Sequence, residues 1–187
     1  MKPTEQLIEE HNAIKEMLNI LDKVSQKLDS GEKVEPRHLE LITDFIRVFT
    51  DKCHHGKEEG ILFPAMVEAG ISKEGGPIGV MLSEHDQGRK YIRQIISGIE
   101  SYKEGKKSAA AKISENARKY IKLLEGHIYK EDNVLYPLAD SHLSQDKQNQ
   151  LLIDFDKLEQ EVIGAGKHEE LHKTLHYLQK EYSDDVK

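Results

Sequence analysis

The sequence predicts an all-α protein: an up-down-up-down four-helix bundle of two pseudo-repeated helix pairs, followed by one or two C-terminal helices. Three observations carry this expectation. Apolar residues recur at helical spacing through most of the 187 residues, and strand-like alternation is hard to find. Trp is absent, Pro occurs five times, and Glu, Lys, Leu and Ala recur, a composition that favours helix. Glycine-bearing breaks fall between the periodic stretches, as short links between long helices require.

The first helix is expected to start behind Thr4 and to carry Leu7, Ile8, Ile14, Leu18, Leu21 and Leu28 before stopping at "DSGE". The second starts near Pro36, a good first-turn residue, and runs through Leu41, Ile42, Phe45, Ile46 and Phe49. "EAGISKEGGPIG" then breaks the chain with four glycines and a proline. A third helix spans about Ile78 to Lys103, and a fourth carries Ile113, Ala117, Tyr120, Ile121 and Leu124. A fifth follows Ser144, and a sixth covers roughly 167–182 after "IGAGK". The bundle is thus expected over 1–140. Residues 141–187 form a helical appendage that packs on it or on a partner copy.

A third of the residues are charged and the net charge is -7, which argues against nucleic acid or an anionic membrane as partner. No apolar run approaches the roughly 20 residues of a membrane span. The acids in "MKPTEQLIEEHNAI" do not suit a signal peptide. The single Cys53 excludes an internal disulfide framework and fits a reducing cytoplasm, the expected location. A monomer or homodimer is expected. Ten histidines are the compositional oddity.

The histidines lie in a repeat. "HHGKEEGILFP" (54–64) and "HIYKEDNVLYP" (127–137) share one frame, and "EEHN" (9–12) is matched by "SEHD" (83–86). His11 to His85 is 74 residues and His54 to His127 is 73. Each helix pair therefore supplies one lone His and one His-x-x-x-Glu. Residues four apart share a helix face, with Cβ atoms roughly 5–6 Å apart. His127 and Glu131 fall on the same face as Ile113, Ala117, Tyr120 and Leu124, the bundle interior. A carboxylate buried there alone would cost several kcal/mol, but carboxylates and imidazoles surrounding cations are tolerable. Imidazole with carboxylate suits iron, with manganese or zinc as substitutes. The pattern points to a dinuclear site of His11, His54, Glu58, His85, His127 and Glu131, with carboxylates from both pairs placed to bridge.

The register of the second helix is ambiguous, because His55/Glu59 is a second His-x-x-x-Glu pair. Counting back from Pro64 and Pro137 selects His54 and Glu58. Matching Phe45, Val48 and Phe49 to Ala117, Tyr120 and Ile121 selects His55 instead. One extra residue in a wide turn just before the site reconciles both counts. His54/Glu58 is the favoured pair, leaving His55 at the surface or behind a ligand.

These motifs resemble the hemerythrin-like (HHE cation-binding) family over about residues 4–140, most specifically in "HHGKEEGILFP", "GGPIGVMLSEHD" and "GHIYKEDNVLYP". The closest branch is the di-iron domain of repair-of-iron-centres proteins. The resemblance implies a four-helix bundle holding two non-haem iron ions, bridged by two carboxylates and often by an oxo or hydroxo group. By position it assigns His11, His54, Glu58, His85, His127 and Glu131 as ligands. Oxygen-carrying hemerythrins have two histidines four apart on the third helix, whereas Arg89 follows His85 and Lys15 follows His11 at that spacing. Repair proteins commonly add an N-terminal domain with a cysteine pair, for which the single Cys53 offers no counterpart.

The expected function is binding or processing of dioxygen, peroxide or nitric oxide. The alternatives are iron donation to damaged iron–sulfur centres, or iron handling or sensing without turnover. No flavin, haem or NAD motif is present, so a reductase would need an electron donor protein. A ferritin-like arrangement needs Glu-x-x-His on two core helices, and Glu35/His38 and Glu169/His172 are misplaced for it. Glu10 and Glu84, each preceding a lone histidine, read either as surface acids or as lining a proton or ligand route. Tyr120 reads as core that could approach the metals, and Cys53 as a buried small residue. His168, His172 and His176 form a stripe better suited to solvent or a dimer contact than to metal.

Overall fold

Prolines and glycines decide where the helices begin, widen and end. In the computed structural model, which describes residues 1–164 and 166–183, every described element is helical. Helix α1 (Pro3–Asp29) starts before Thr4: Pro3 occupies the first turn, where its missing N–H is harmless, and Glu5 accepts the Lys2 N–H at 2.7 Å. Thr4 donates instead to Asp140 at 2.8 Å. Gly31, with φ of 79°, ends α1 and lets the Glu32 N–H reach the Lys27 carbonyl at 3.0 Å.

Helix α2 (36–68) is continuous but not uniform. It is α-helical over Pro36–Phe45, widens to π-type turns over Ile46–His55 and Glu58–Leu62, and closes as α-helix over Phe63–Glu68. After α3 (Pro77–Lys103), helix α4 (109–142) is regular over Ala109–Lys130, widens at Glu131–Leu135 and closes over Tyr136–His142. The shared widening lies immediately before Pro64 and Pro137. Proline has no N–H for the carbonyl four residues back and its ring clashes with it, so that turn opens. The earlier wide stretch, Ile46–His55, belongs to α2 alone and supplies the extra residue that the two register counts require.

Helix α1 packs on α4, α4 on α3, and α3 on α2. Two apolar clusters result. One is built on Leu18, Leu21, Phe45, Phe49, Ile95 and Ile113, the other on Leu7, Leu62, Met66, Ile78, Met81 and Leu135. On every bundle helix the candidate ligands fall between them: Leu7–His11–Ile14, Phe49–His54–Leu62, Met81–His85–Ile92 and Leu124–His127–Leu135.

The tail joins both clusters. Helix α5 (145–163), capped by Ser144 accepting the Lys147 N–H, contributes Leu151 and Phe155 to the second. Helix α6 (Lys167–Glu181) brings Leu171, Leu175 and Leu178 to the first, and Tyr182 follows it there. His38 fastens this end, its two ring nitrogens lying 2.9 Å from the Tyr182 hydroxyl and 3.0 Å from that of Tyr177. Among the described residues no helix is long and apolar enough to cross a membrane.

Helices α3 and α4 approach closely at Gly98, where an added Cβ would lie 2.8 Å from Ile113 Cγ1, a fully buried side chain. Gly98→Ala should therefore destabilise the protein by about 1–3 kcal/mol in urea unfolding. Gly126→Ala, with nothing within 4 Å, should stabilise by about 0.5–1 kcal/mol. Equal effects would contradict this packing.

Candidate metal centre

Seven side chains from the four bundle helices converge between the two apolar clusters: His11, His54, His55, Glu58, His85, His127 and Glu131. None is more than 5 % exposed. Their donor atoms fall into two groups able to hold a cation, His55/Glu58/His85/His127 and His11/His54/Glu131. Glu131 reaches both: Oε2 lies 3.2 Å from His11 Nε2 and Oε1 lies 3.0 Å from His127 Nε2. Glu58 Oε2 lies 3.4 Å from His85 Nε2 and 3.8 Å from His54 Nε2.

The histidines are aimed by an outer ring of carboxylates. Glu10 of α1 accepts from His54 Nδ1 of α2 at 2.9 Å, and Glu59 of α2 from His85 Nδ1 of α3 at 2.7 Å. Glu84 of α3 accepts from His127 Nδ1 of α4 at 2.9 Å, and Asp132 of α4 closes the circle on His11 Nδ1 at 2.7 Å. Asp51 takes the Nδ1 of His55, at 3.4 Å, within α2. Each carboxylate of the four-helix circle is also held by a cation on the same helix as its histidine. Lys57 holds Glu10, Arg89 holds Glu59 (2.6 Å), Lys130 holds Glu84 and Lys15 holds Asp132 (3.1 Å).

An ionised carboxylate can only accept a hydrogen bond, so it fixes the imidazole proton on Nδ1 and leaves the Nε2 lone pair facing inward. Such carboxylate–histidine pairs orient metal ligands and raise their basicity. The interior shows the consequence. His54 Nε2, His55 Nε2, Glu58 Oε2 and both Glu131 oxygens are buried without a hydrogen-bond partner, and His85 and His127 bring Nε2 atoms to 3.0 Å. An unpaired buried polar group costs about 1–3 kcal/mol, and more when charged. Buried lone pairs that outnumber the protons available to them fit cations.

The structure brings together all six residues singled out in the sequence and adds His55. The expectation that His55 stands at the surface or behind a ligand is corrected. Adjacent residues on an α-helix point about 100° apart, but the π-type turns of Ile46–His55 bring both histidines inward. His54 lies against His11 (centroids 4.6 Å apart) and His55 stacks on His85 (3.8 Å). Glu59 belongs to the outer ring.

Tyr136 is the residue that sequence reasoning missed. Its hydroxyl donates to Glu58 at 2.7 Å and its ring stacks on His11, as Phe63 stacks on His85. The aromatic before proline in both phrases was its signal. Glu10 and Glu84 belong to the ring rather than the surface. Tyr120 is buried and Cys53 is buried and unpaired, with burial pushing the Cys53 thiol up to about 12. His168 and His172 lean on Phe49 and His176 is exposed.

The charges are arranged to need cations. Burial opposes ionisation of Glu131, yet His127, His11 and His85 hold its carboxyl well below the usual range. In return, and against burial, Glu131 with Glu84 raises His127 to about 9 and Asp132 with Glu131 raises His11, so in the metal-free protein these two hold protons that a cation would displace. Burial and the charge of Glu131 push Glu58 well above it. Burial takes His54 down to about 4, so it remains a neutral donor. In the outer ring burial is outweighed: His54 and Lys57 lower Glu10, His85 and Arg89 lower Glu59, His127 and Lys130 lower Glu84, and His11 and Lys15 lower Asp132.

Carboxyls with lowered folded-state values contribute stability that is full above their ordinary values, 4.5 for Glu and 3.8 for Asp, and lost as pH falls through the lowered ones. Thermal unfolding of the metal-free protein from pH 6 to pH 3 should show that loss. Glu84→Gln should make it shallower and weaken metal binding by about 10–100-fold. An unchanged acid limb and unchanged metal affinity would contradict the ring.

Comparison with known proteins agrees with this geometry. The family described as Hemerythrin HHE cation binding domain matches residues 2–139. The "Uncharacterized protein Rv1995" of Mycobacterium tuberculosis is 23% identical over 162 residues, covering 87% of this chain and 63% of that protein. The "Iron-sulfur cluster repair protein YtfE" of Yersinia pseudotuberculosis is 36% identical over 90 residues, covering 46% of this chain and 40% of that protein. The chain thus spans less than two thirds of the length of these relatives. With the match running through all four bundle helices and all seven converging donors, the chain belongs to the hemerythrin HHE cation-binding family.

Proposed function

We propose that the seven inward donors hold two iron ions and that the protein binds or processes dioxygen, peroxide or nitric oxide there. The observation that carries this reading is the unequal enclosure of the two groups. Tyr136 covers His11 on one side, whereas His55, His85 and His127 face a cavity of about 170 Å³. Five imidazoles and two carboxylates would leave coordination positions open on two iron ions, which a purely structural centre would fill.

Iron, when bound, supplies a redox-active Lewis acid at the cavity floor. The chain's own residues supply the rest. The outer ring keeps each Nδ1 protonated, Glu131 and Glu58 face both groups, and the Tyr136 hydroxyl fixes Glu58. Turnover as a reductase would take electrons from a separate donor protein. A second reading, iron donation to damaged iron–sulfur centres, is favoured by the similarity to the repair protein over 90 residues.

Metal analysis of protein purified from iron-supplemented cells should give about two irons per chain. Visible absorption should change on reduction and on addition of nitric oxide. His54→Ala, His55→Ala and Glu131→Ala should each lower the metal content, while His172→Ala leaves it unchanged. Equal content in all four variants would overturn the assignment. Iron transfer to a metal-free iron–sulfur acceptor, without a nitric oxide response, would favour the second reading.

A further inference from the structure

The cavity before His55, His85 and His127 is larger than a diatomic molecule needs. An apolar cavity of about 150 Å³ holds benzene, and this one is about 170 Å³. Its walls are Ile46, Ile92, Tyr120 and Leu124, together with the bare backbone of Gly88. A Cβ at position 88 would already touch Tyr120 Cε2 at 3.4 Å and Leu124 Cδ2 at 3.7 Å, so a larger side chain there would take up the space between these walls.

The rim carries Arg47, Arg89 and Arg93 on a protein of net charge -7. Arg89 is committed to Asp51 (2.8 Å), Glu59 (2.6 Å) and Asp86 (3.1 Å). The acids that line the cavity are committed too: Asp51 to Arg89, and Glu84 to Lys130 and His127. Arg47 has only the exposed Asp44 at 3.8 Å, and Arg93 has no carboxylate partner among the described residues. The uncommitted charge at the mouth is therefore positive, and the interior is apolar.

We infer that this cavity is a binding site for a small organic carboxylate with an apolar body of about four to six carbons. The carboxylate pairs with Arg47 and Arg93 at the rim, and the hydrocarbon end points at His55, His85 and His127. The inference deepens the proposed function by naming an organic ligand class for the open side of the centre. It rests on that function only for what would happen to the ligand there, because the walls and rim form without metal.

The test is calorimetric titration of the metal-free full chain with hexanoate, benzoate, acetate and benzyl alcohol. Hexanoate and benzoate should bind, and acetate, which lacks the apolar body, should bind at least about tenfold more weakly. Benzyl alcohol should bind more weakly than benzoate, and Arg47→Gln with Arg93→Gln should erase that difference. Gly88→Leu, which fills the cavity, should lose about tenfold or more of the benzoate affinity. Ile92→Phe fills it from one turn further along the same helix should Gly88→Leu fail to fold. Unchanged affinity in a folded cavity-filling variant, no heat with hexanoate or benzoate, or equal binding of benzyl alcohol and benzoate would each overturn the inference. Because no metal is present, benzoate binding by a protein that fails to take up iron would uphold the cavity while removing the proposed function.

Discussion

Five imidazoles can turn lone pairs toward one buried space only if five protons are held somewhere else. The rest of the structure follows from that constraint. Each proton sits on an Nδ1 that is tied outward to a carboxylate, and each carboxylate of the four-helix circle is tied to a cation from its histidine's own helix. The bonds run α1 to α2, α2 to α3, α3 to α4 and α4 back to α1, so no helix can rotate without breaking its link to both neighbours. Apolar clusters above and below supply non-directional stability. The ring supplies the angular register that packing of similar aliphatic side chains leaves loose.

The pseudo-symmetry is broken in three places, each with a physical consequence. The extra wide stretch in α2 adds His55, which makes one donor group larger and places it beside the cavity. Tyr136 occupies the place of Phe63 in the other half, and its hydroxyl reaches Glu58 where a phenylalanine could not. Lys57, fully buried, also binds Glu159 of α5 and lies over Phe155, whereas its counterpart Lys130 is 39% exposed. The tail thereby closes the side of the bundle that holds His54, and the opposite side remains open.

The bundle was legible because helical periodicity and glycine breaks are local signals, and the six ligands because they recur at a spacing of 73 or 74 residues. The ring was written in the same repeat but not recognised. It lies in the acid before each lone histidine, the lysine three after each paired one, and the acid that follows Glu58 or Glu131. Each of those residues is individually an ordinary surface charge on a helix, and only the closed geometry gives them a role. His55 was misplaced because a choice between registers presumed one inward residue per turn, which a π-type stretch does not obey. Thr4 is not the cap because Pro3 starts the helix ahead of it, and its hydroxyl donates to Asp140, 136 residues away. Long-range partners of that kind leave no trace in local sequence.

The most direct test of this account is the protonation of the imidazoles in the zinc-loaded protein, read from long-range nitrogen–proton NMR correlations. The ring predicts five histidines protonated on Nδ1 with Nε2 shifted by the metal: His11, His54, His55, His85 and His127. Metal-shifted Nδ1 atoms, or a set that omits His55, would contradict it.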